Sequence, residues 1–492
     1  MPHTDLIMHR TSASVAMAIL TLTLLSGCSS GDGNGPAGFG TVKGTVHLPF
    51  KFAAANEPVE GATVLITAGD FDTTATTDAN GQFVVGSIPS GTAAVTATLG
   101  TCLAEHFPSV SVPANDTLRL TITLASDADF DTIPVPWAGA IRMELEPANN
   151  RAIMLIDAAS TGGAPEVVVV DLSTGQAQSA PQTGLTDVYD LAVVGPNLVV
   201  FNFLAPEGHC LRFFNPSTME KAGNDVLYFP EQTVHPGKIA LDDLRENVFV
   251  THGVRLGTQV AGRVWAVNIA QRQMIDVDDD IFDLVFSFDT NLVAGSLGWS
   301  YGISFDAATQ EILVASRQSK FITAIDWTMW GNFDRGANLS IPTTGVRRIP
   351  IVPQSGDSVG FGVEIWGFAG GYGIAAKRLS GSAPYLRYSS GGAAADMMFT
   401  ETAIVPASTN HTLKVIPERQ SWFSMFRDPD RANNGVQHAI EERSTATLQR
   451  VYRYESMYID DATPTAFAVD TDNGLLYVAY SGRKVIEVFC LP

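Results

Sequence analysis

Two groups of residues match part of a pattern for metal binding or nucleophilic catalysis. Asp127, Asp129 and Asp131 have the i, i+2, i+4 spacing of calcium-loop openings, but the glycine and distal glutamate of an EF-hand are not in register. Gly356–Gly360 matches the Gly-x-Ser-x-Gly nucleophile elbow, but a glycine-broken, strand-like stretch follows where the elbow needs a helix. We therefore predict no catalytic residue, no metal site and no cofactor, and keep calcium as the alternative.

Three aromatic residues are the candidate binding residues. Trp366, Phe368 and Tyr372 lie in a glycine-rich stretch, and aromatic side chains among small neighbours can form an apolar platform. Packing inside a buried sheet is the favoured interpretation, and a binding face at these three residues is the alternative.

A single cysteine follows a short apolar run near the N-terminus. Val15–Leu25 is too short for a mature membrane span, which needs about 20 residues, but has the length of a signal-peptide core. Leu25-Ser26-Gly27-Cys28 resembles the bacterial lipobox. The resemblance implies that residues 1–27 are a lipoprotein signal peptide, that Cys28 is acylated and that residues 28–39 are a flexible tether. An ordinary secretory signal is the alternative.

The lipid bilayer is the first expected partner, because two or three acyl chains on Cys28 anchor a protein stably. Ser29, rather than aspartate, follows the cysteine, which by resemblance to Gram-negative lipoprotein sorting implies the outer membrane. Which face of the membrane carries the protein stays open.

The chain has 51 acidic and 30 basic residues, a net charge of −21. Such a field repels nucleic acid, so we expect no nucleic-acid partner.

Three further cysteines bear on redox state. Cys102, Cys210 and Cys490 would lie in an oxidising compartment, where a pair can form and an odd number leaves one unpaired. We predict buried free thiols for at least two of them, and keep a Cys210–Cys490 bridge as the alternative.

Residues 40–125 read as six or seven short strands with period-two alternation. Pro58-Val59-Glu60-Gly61-Ala62, Asp78-Ala79-Asn80-Gly81 and Ile88-Pro89-Ser90-Gly91 resemble motifs of the carboxypeptidase regulatory-like family, whose fold is a transthyretin-like sandwich. We predict an N-terminal Greek-key β-sandwich, followed by an acidic linker at 126–136. The resemblance implies a spacer or docking domain, with carbohydrate binding as an alternative because some carbohydrate-binding modules share this broad fold.

Self-similar windows organise the remainder of the chain. Four of them align without gaps: Leu145–Met154, Leu241–Val250, Phe305–Val314 and Val469–Val478. Each carries an acid before a polar turn and an apolar strand, and the acids are Glu146, Asp242, Asp306 and Asp470. A carboxylate there can accept N–H bonds from the turn that follows, which is a structural role.

Recurring units of this kind, each with a polar turn and an apolar strand, are typical of β-propeller blades. The pattern resembles the quinoprotein-like and surface-layer propeller families. We predict an all-β chain with a propeller at 137–492, seven blades, and six or eight as alternatives. The expected blades are 138–182, 185–232, 235–280, 297–342, 345–395, 397–455 and 460–492. A segment near Trp137–Met143 is expected to complete the last blade and close the ring.

The predicted function is that of a cell-envelope lipoprotein whose propeller binds or scaffolds an envelope protein, a peptide or a glycan. The alternative is a propeller enzyme, a lactonase-like or quinoprotein-like hydrolase or oxidoreductase with a cation in the central channel. The sequence favours binding, because the acids recur as turn residues and do not converge as a single set. Whether the protein is an enzyme stays open.

Overall fold

The described part of the chain is almost entirely β-strand. The computed structural model describes residues 38–48, 58–100, 103–126, 132–229, 235–256, 259–275, 285–286, 302–315, 321–332, 345–350, 363–377, 382–402, 405–406, 413–427, 438–455 and 463–492. The signal peptide, Cys28, Cys102, Ser358 and the aspartates at 127, 129 and 131 lie outside these ranges. Within them, no helix is long and apolar enough to cross a membrane.

The first domain is the predicted sandwich. Its strands are β1 (Phe39–His47), β2 (Thr63–Ala68), β3 (Phe71–Thr76), β4 (Gln82–Pro89), β5 (Gly91–Leu99), β6 (Leu103–Val112), β7 (Thr117–Thr123) and β8 (Ala125–Ser126). One sheet has the order β4-β1-β7 with a parallel β1–β7 pair, and the other has the order β3-β2-β5-β6-β8. Alternate residues of β2, such as Val64 and Ile66, are fully buried between the sheets.

Seven antiparallel sheets follow. After β9 (Thr132–Pro134), blade 1 contains β10 (Ala140–Glu146), β11 (Arg151–Ile156), the short helix α1 (Ala158–Thr161), β12 (Glu166–Asp171) and β13 (Gln176–Pro181). Blade 2 contains β14 (Asp187–Gly195), β15 (Leu198–Ala205), β16 (Gly208–Asn215), β17 (Glu220–Lys221) and β18 (Val226–Phe229). Blade 3 contains β19 (His235–Leu241), β20 (Asn247–Leu256), β21 (Gln259–Asn268), β22 (Gln273–Met274) and β23 (Val285–Phe286).

The last four blades are also antiparallel sheets. Blade 4 contains β24 (Gly302–Asp306), β25 (Glu311–Ala315), β26 (Phe321–Asp326) and β27 (Val346–Pro350). Blade 5 contains β28 (Val363–Ala369), β29 (Tyr372–Lys377), β30 (Ser382–Ser389) and β31 (Met397–Thr402). Blade 6 contains β32 (Val405–Pro406), β33 (Leu413–Ile416), β34 (Ser421–Arg427), β35 (His438–Ser444) and β36 (Arg450–Glu455). Blade 7 contains β37 (Pro464–Asp470), β38 (Leu475–Tyr480) and β39 (Val485–Cys490), with β9 as its fourth strand. Short 3₁₀ turns occupy Pro147–Asn149, Trp327–Asn332 and Pro417–Arg419.

A separate apolar cluster joins each blade to the next around the ring. For example, Ile153 of blade 1 shares a cluster with Phe201 of blade 2, and Leu313 of blade 4 shares one with Leu386 of blade 5. The first and last blades share a cluster that contains Ile133. Blades 6 and 7 meet through aromatic side chains. Because every blade packs on both neighbours, the predicted seven-bladed propeller is confirmed.

Two sequence interpretations need correction. The ring is closed by β9, which pairs antiparallel with β39, and not by the Trp137–Met143 segment, most of which belongs to the first strand of blade 1. Strand β27 completes blade 4 and β31 completes blade 5, whereas the sequence assigned them to the following blades.

The sandwich packs directly against the propeller. One continuous cluster of buried residues runs from the sandwich into blades 6 and 7. Gly100 lies so close to the C-terminus that a Cβ there would be 2.5 Å from the carbonyl oxygen of Leu491. The two domains therefore share part of their core.

Candidate functional site

The four recurring acids form turn structure and do not converge on a site. Asp306 Oδ1 accepts the N–H of Ala308 at 3.0 Å, and Asp470 Oδ1 accepts that of Asn473 at 3.0 Å, as predicted. Asp242 Oδ1 instead accepts N–H groups four and five residues further on. Glu146 differs, because its Oε1 accepts the N–H of Asn197 in the next blade at 2.5 Å. The acids thus stabilise turns and two blade-to-blade contacts, the second being the bond that Ser390 Oγ of blade 5 donates to Asp306 Oδ2.

A second recurring turn was not recognised in the sequence. Asp171, Asn215, Asn268 and Asp326 each end the third strand of a blade, and each side-chain oxygen accepts an N–H from two or three residues onward. The signal that could have revealed it is an aspartate or asparagine directly after an apolar strand in each repeat.

One set of charged side chains converges on the innermost strands. We call Arg142, Glu144, Asp190, Lys238 and Lys414 the channel cluster. Arg142 Nη2 lies 2.8 Å from Glu144 Oε1, and Arg142 Nε lies 3.2 Å from Asp190 Oδ1. Lys414 Nζ lies 2.8 Å from Glu144 Oε2, and Lys238 Nζ lies 3.9 Å from Asp190 Oδ1. The result is one row of alternating charges that joins blades 6, 1, 2 and 3.

The strand period explains why these side chains meet. Arg142 and Glu144 are two residues apart on β10, so both project from one face, while Met143 between them is fully buried in the sheet packing. Strands β10, β14 and β19 are successive innermost strands, and each packs against the next. Lys414 approaches from β33 and passes the Phe467 ring of blade 7, with 6.0 Å between Nζ and the ring centroid.

Asp190 is held in place by the backbone around it. Its Oδ2 accepts the N–H of Ile239 at 2.9 Å, and its own N–H donates to Asn202 Oδ1 at 2.7 Å. Asn202 in turn donates to the carbonyl of Gly237 at 2.9 Å. These bonds fix Asp190 between blades 2 and 3, so its carboxylate is a rigid point in the cluster.

Burial governs the charges of the cluster. Burial lowers the pKa of Lys238, and the nearby Asp190 carboxylate opposes that shift only in part. Burial likewise lowers the pKa of Lys414, against the attraction of Glu144. Burial also disfavours the charged form of Arg142, but Asp190 and Glu144 outweigh it and raise its pKa.

Chemically, the channel cluster suits the binding of a polar or anionic group. It holds three cations and two carboxylates. Among the described residues, no group of three His, Cys, Asp or Glu side chains could hold a metal ion. The sequence analysis missed the cluster because its members come from four distant strands. The available signal was a charged residue inside an otherwise apolar inner strand, such as Lys414 in Leu413–Ile416.

The structure describes the side chains of two of the three aromatic candidates. Tyr372, at the β28–β29 turn, is 42% exposed, and the Arg387 guanidinium lies 5.3 Å from its ring centroid. Phe368 is partly buried against the core between blades 4 and 5. The backbone of Trp366 lies in β28, and its side chain is outside the described part.

The cysteine interpretation changes at one position, because Cys490 is disulfide-bonded. Cys210 is a buried free thiol, so the alternative Cys210–Cys490 bridge is wrong. Burial raises the pKa of Cys210 to about 12, which keeps it protonated and unreactive. The partner of Cys490 lies outside the described ranges.

In the sandwich, the candidates for stacking on a sugar are His106 and Phe107, and they are not both exposed. His106 is exposed and bonds Thr96 Oγ1 at 2.8 Å, whereas Phe107 packs against the sandwich core. One aromatic ring alone does not form a stacking platform.

Comparison with solved structures finds propeller-like neighbours of low similarity. A chain of Kuenenia stuttgartiensis hydrazine synthase is 13% identical, with 60% of this chain and 74% of that chain covered and a TM-score of 0.41. A chain of the mitotic checkpoint complex is 10% identical, with 73% and 90% covered and a TM-score of 0.46. The C-terminal WD40 domain of Sif2 is 12% identical, with 73% and 98% covered and a TM-score of 0.44.

Comparison with families identifies only the first domain. No curated protein matches the chain. Residues 41–125 match the carboxypeptidase regulatory-like domain, in agreement with the resemblance seen in the sequence. The chain therefore joins a β-sandwich, which matches the carboxypeptidase regulatory-like model over residues 41–125, to a seven-bladed β-propeller.

Proposed function

We propose that this chain is a cell-envelope lipoprotein whose propeller is a binding or scaffold module. The observation that carries the location is the disulfide at Cys490, because disulfides persist in oxidising compartments such as the periplasm and cell surface. The lipobox-like Leu25-Ser26-Gly27-Cys28 supplies the anchor. With Cys28 acylated and Cys210 free, Cys102 is the one cysteine left to pair with Cys490.

Binding is proposed over catalysis because of the composition of the ring centre. A propeller enzyme that works through a channel cation needs several carboxylate or histidine ligands directed at it. Here the converging side chains are mostly cations that pair with two carboxylates. Envelope proteins, peptides and glycans remain the proposed partner classes, and Trp366, Phe368 and Tyr372 remain the proposed contact face.

Metabolic labelling tests the anchor. In a Gram-negative host, we expect an alkyne-palmitate label on the wild type and on Cys210→Ala, and none on Cys28→Ala. The wild type should sediment with outer membranes, whereas Ser29→Asp should move it to the inner membrane. A wild-type protein that is unlabelled and soluble would overturn the lipoprotein assignment.

A pull-down from detergent-solubilised envelope, repeated with Tyr372→Ala, tests the contact face.

A further inference from the structure

The channel cluster is a row of five charges that ends in a cation on both sides. From blade 6 to blade 3 the order is Lys414, Glu144, Arg142, Asp190 and Lys238. The Lys414 end is well satisfied, because Nζ bonds Glu144 and also the carbonyl of Met143 at 3.1 Å. The row therefore has one tightly held end and one that is loosely held.

The loose end combines two cations and one carboxylate oxygen. Arg142 Nε and Lys238 Nζ both approach Asp190 Oδ1, at 3.2 and 3.9 Å. The lysine distance exceeds that of a hydrogen bond, and the buried atoms Arg142 Nε and Asp190 Oδ1 make none of acceptable geometry within the described residues. Buried polar atoms normally find partners, so this point of the ring has unused bonding capacity.

The two cations at this point remain partly exposed. The side chains of Arg142 and Lys238 keep 19% and 18% of their surface exposed, whereas Asp190 keeps 2%. Arg142 Nε itself is buried, so a small solute would contact the exposed parts of the two cations, with the carboxylate behind them. Buried ion pairs add little net stability compared with apolar residues of similar volume, so packing alone gives no reason for this row.

We propose that the ring centre binds a small carboxylate at Arg142 and Lys238. The N–H groups of Arg142 and Lys238, other than the buried Arg142 Nε, can donate hydrogen bonds to a carboxylate oxygen. The row has one surplus positive charge, which a single negative charge neutralises, while a dianion would face repulsion from Asp190 and Glu144. This inference deepens the proposed binding function, since it names a ligand class for the propeller.

Calorimetric titration of the purified protein tests the site. The probes are acetate, L-lactate and sulfate at constant ionic strength, with choline as the cationic control. We expect acetate and L-lactate to bind one per chain, sulfate to bind more weakly, and choline not to bind. Absence of carboxylate binding by folded protein, or tighter binding of sulfate, would overturn the proposal.

Charge variants separate a ligand site from a purely structural network. Lys238→Met should lower carboxylate affinity about tenfold, and Lys238→Arg should retain it. Glu144→Gln should raise affinity, because it leaves Arg142 and Lys414 with less competition. Lys221→Met, at an exposed pair with Asp225, is the matched control and should bind as the wild type does. Equal affinity in all four variants would refute the site. Because titration uses purified protein, its outcome is independent of the lipid-labelling result.

Discussion

Single residues in blade 2 show how the propeller tolerates buried polar groups. His209 lies on the third strand, fully buried, between the rings of Tyr189 and Tyr228 at centroid distances of 6.1 and 6.2 Å. Burial lowers its pKa to about 4, so the folded protein holds the ring neutral in the physiological range. Such a residue links stability to pH.

The sign of that link follows from the unfolded state, where histidine has its ordinary pKa of about 6.5. Between pH 6.5 and 4 the unfolded chain binds the proton and the folded chain does not. The stabilisation is therefore complete above pH 6.5 and is lost as the pH falls towards 4, by up to about 3 kcal/mol.

We predict that His209→Gln loses less stability than the wild type between pH 7 and pH 4. Urea unfolding at several pH values gives the free energy of unfolding for both proteins. The exposed His106→Gln is the control and should follow the wild-type curve. Parallel curves for wild type and His209→Gln would show that His209 does not carry this linkage.

At the level of elements, the closing strand β9 is where we expect a single substitution to lower stability most. Ile133 of β9 pairs with Ile486 of β39 and is 1% exposed in the cluster between blades 7 and 1. Three residues of β9 form the fourth strand of the last blade, and the N–H of Val135, just beyond them, donates to the carbonyl of Lys484. Loss of packing there also frees a sheet edge.

We predict that Ile133→Ala lowers the free energy of unfolding by about 2 to 5 kcal/mol, because it leaves a cavity in a fully packed cluster. Thr132→Ala, on the same strand but less buried, should cost well under half as much. Thermal unfolding followed by circular dichroism gives the comparison. Similar losses in both variants would argue that β9 does not close the ring through Ile133.

The sequence predicted most elements but not how all of them are shared between blades. Alternation and the turn residues of the sandwich were sufficient, because local chemistry determines such strands. The closing strand was missed because Pro134 and its acidic flank resemble a linker, although proline is tolerated on an edge strand. In blade 4 the third strand ends at Asp326 and the fourth begins only at Val346, so spacing alone assigned that strand to the wrong blade. The channel cluster depends on non-local pairing of inner strands, which no single window contains.

At the level of the whole molecule, the sandwich and the ring act as one body. Gly100 lies against Leu491, next to the disulfide-bonded Cys490. The sandwich therefore connects the proposed anchor to the side of the propeller formed by blades 6 and 7.

We predict that digestion under non-reducing conditions gives a cross-linked peptide that contains Cys102 and Cys490. Mass spectrometry of wild type and Cys102→Ser should show the cross-link only in the wild type, and Cys210→Ser should leave it intact. A Cys28–Cys490 peptide would contradict both this pairing and acylation of Cys28.

The pairing of β9 with β39 has a consequence for biogenesis. Residue 133 leaves the ribosome hundreds of residues before residue 486, yet neither edge is covered until both have arrived. A nascent or prematurely terminated chain that lacks residue 486 would leave the edge of β9 exposed to other chains and to proteases. The β9–β39 pairing thus requires that synthesis be complete before the ring can close and its sheet edges be protected from aggregation.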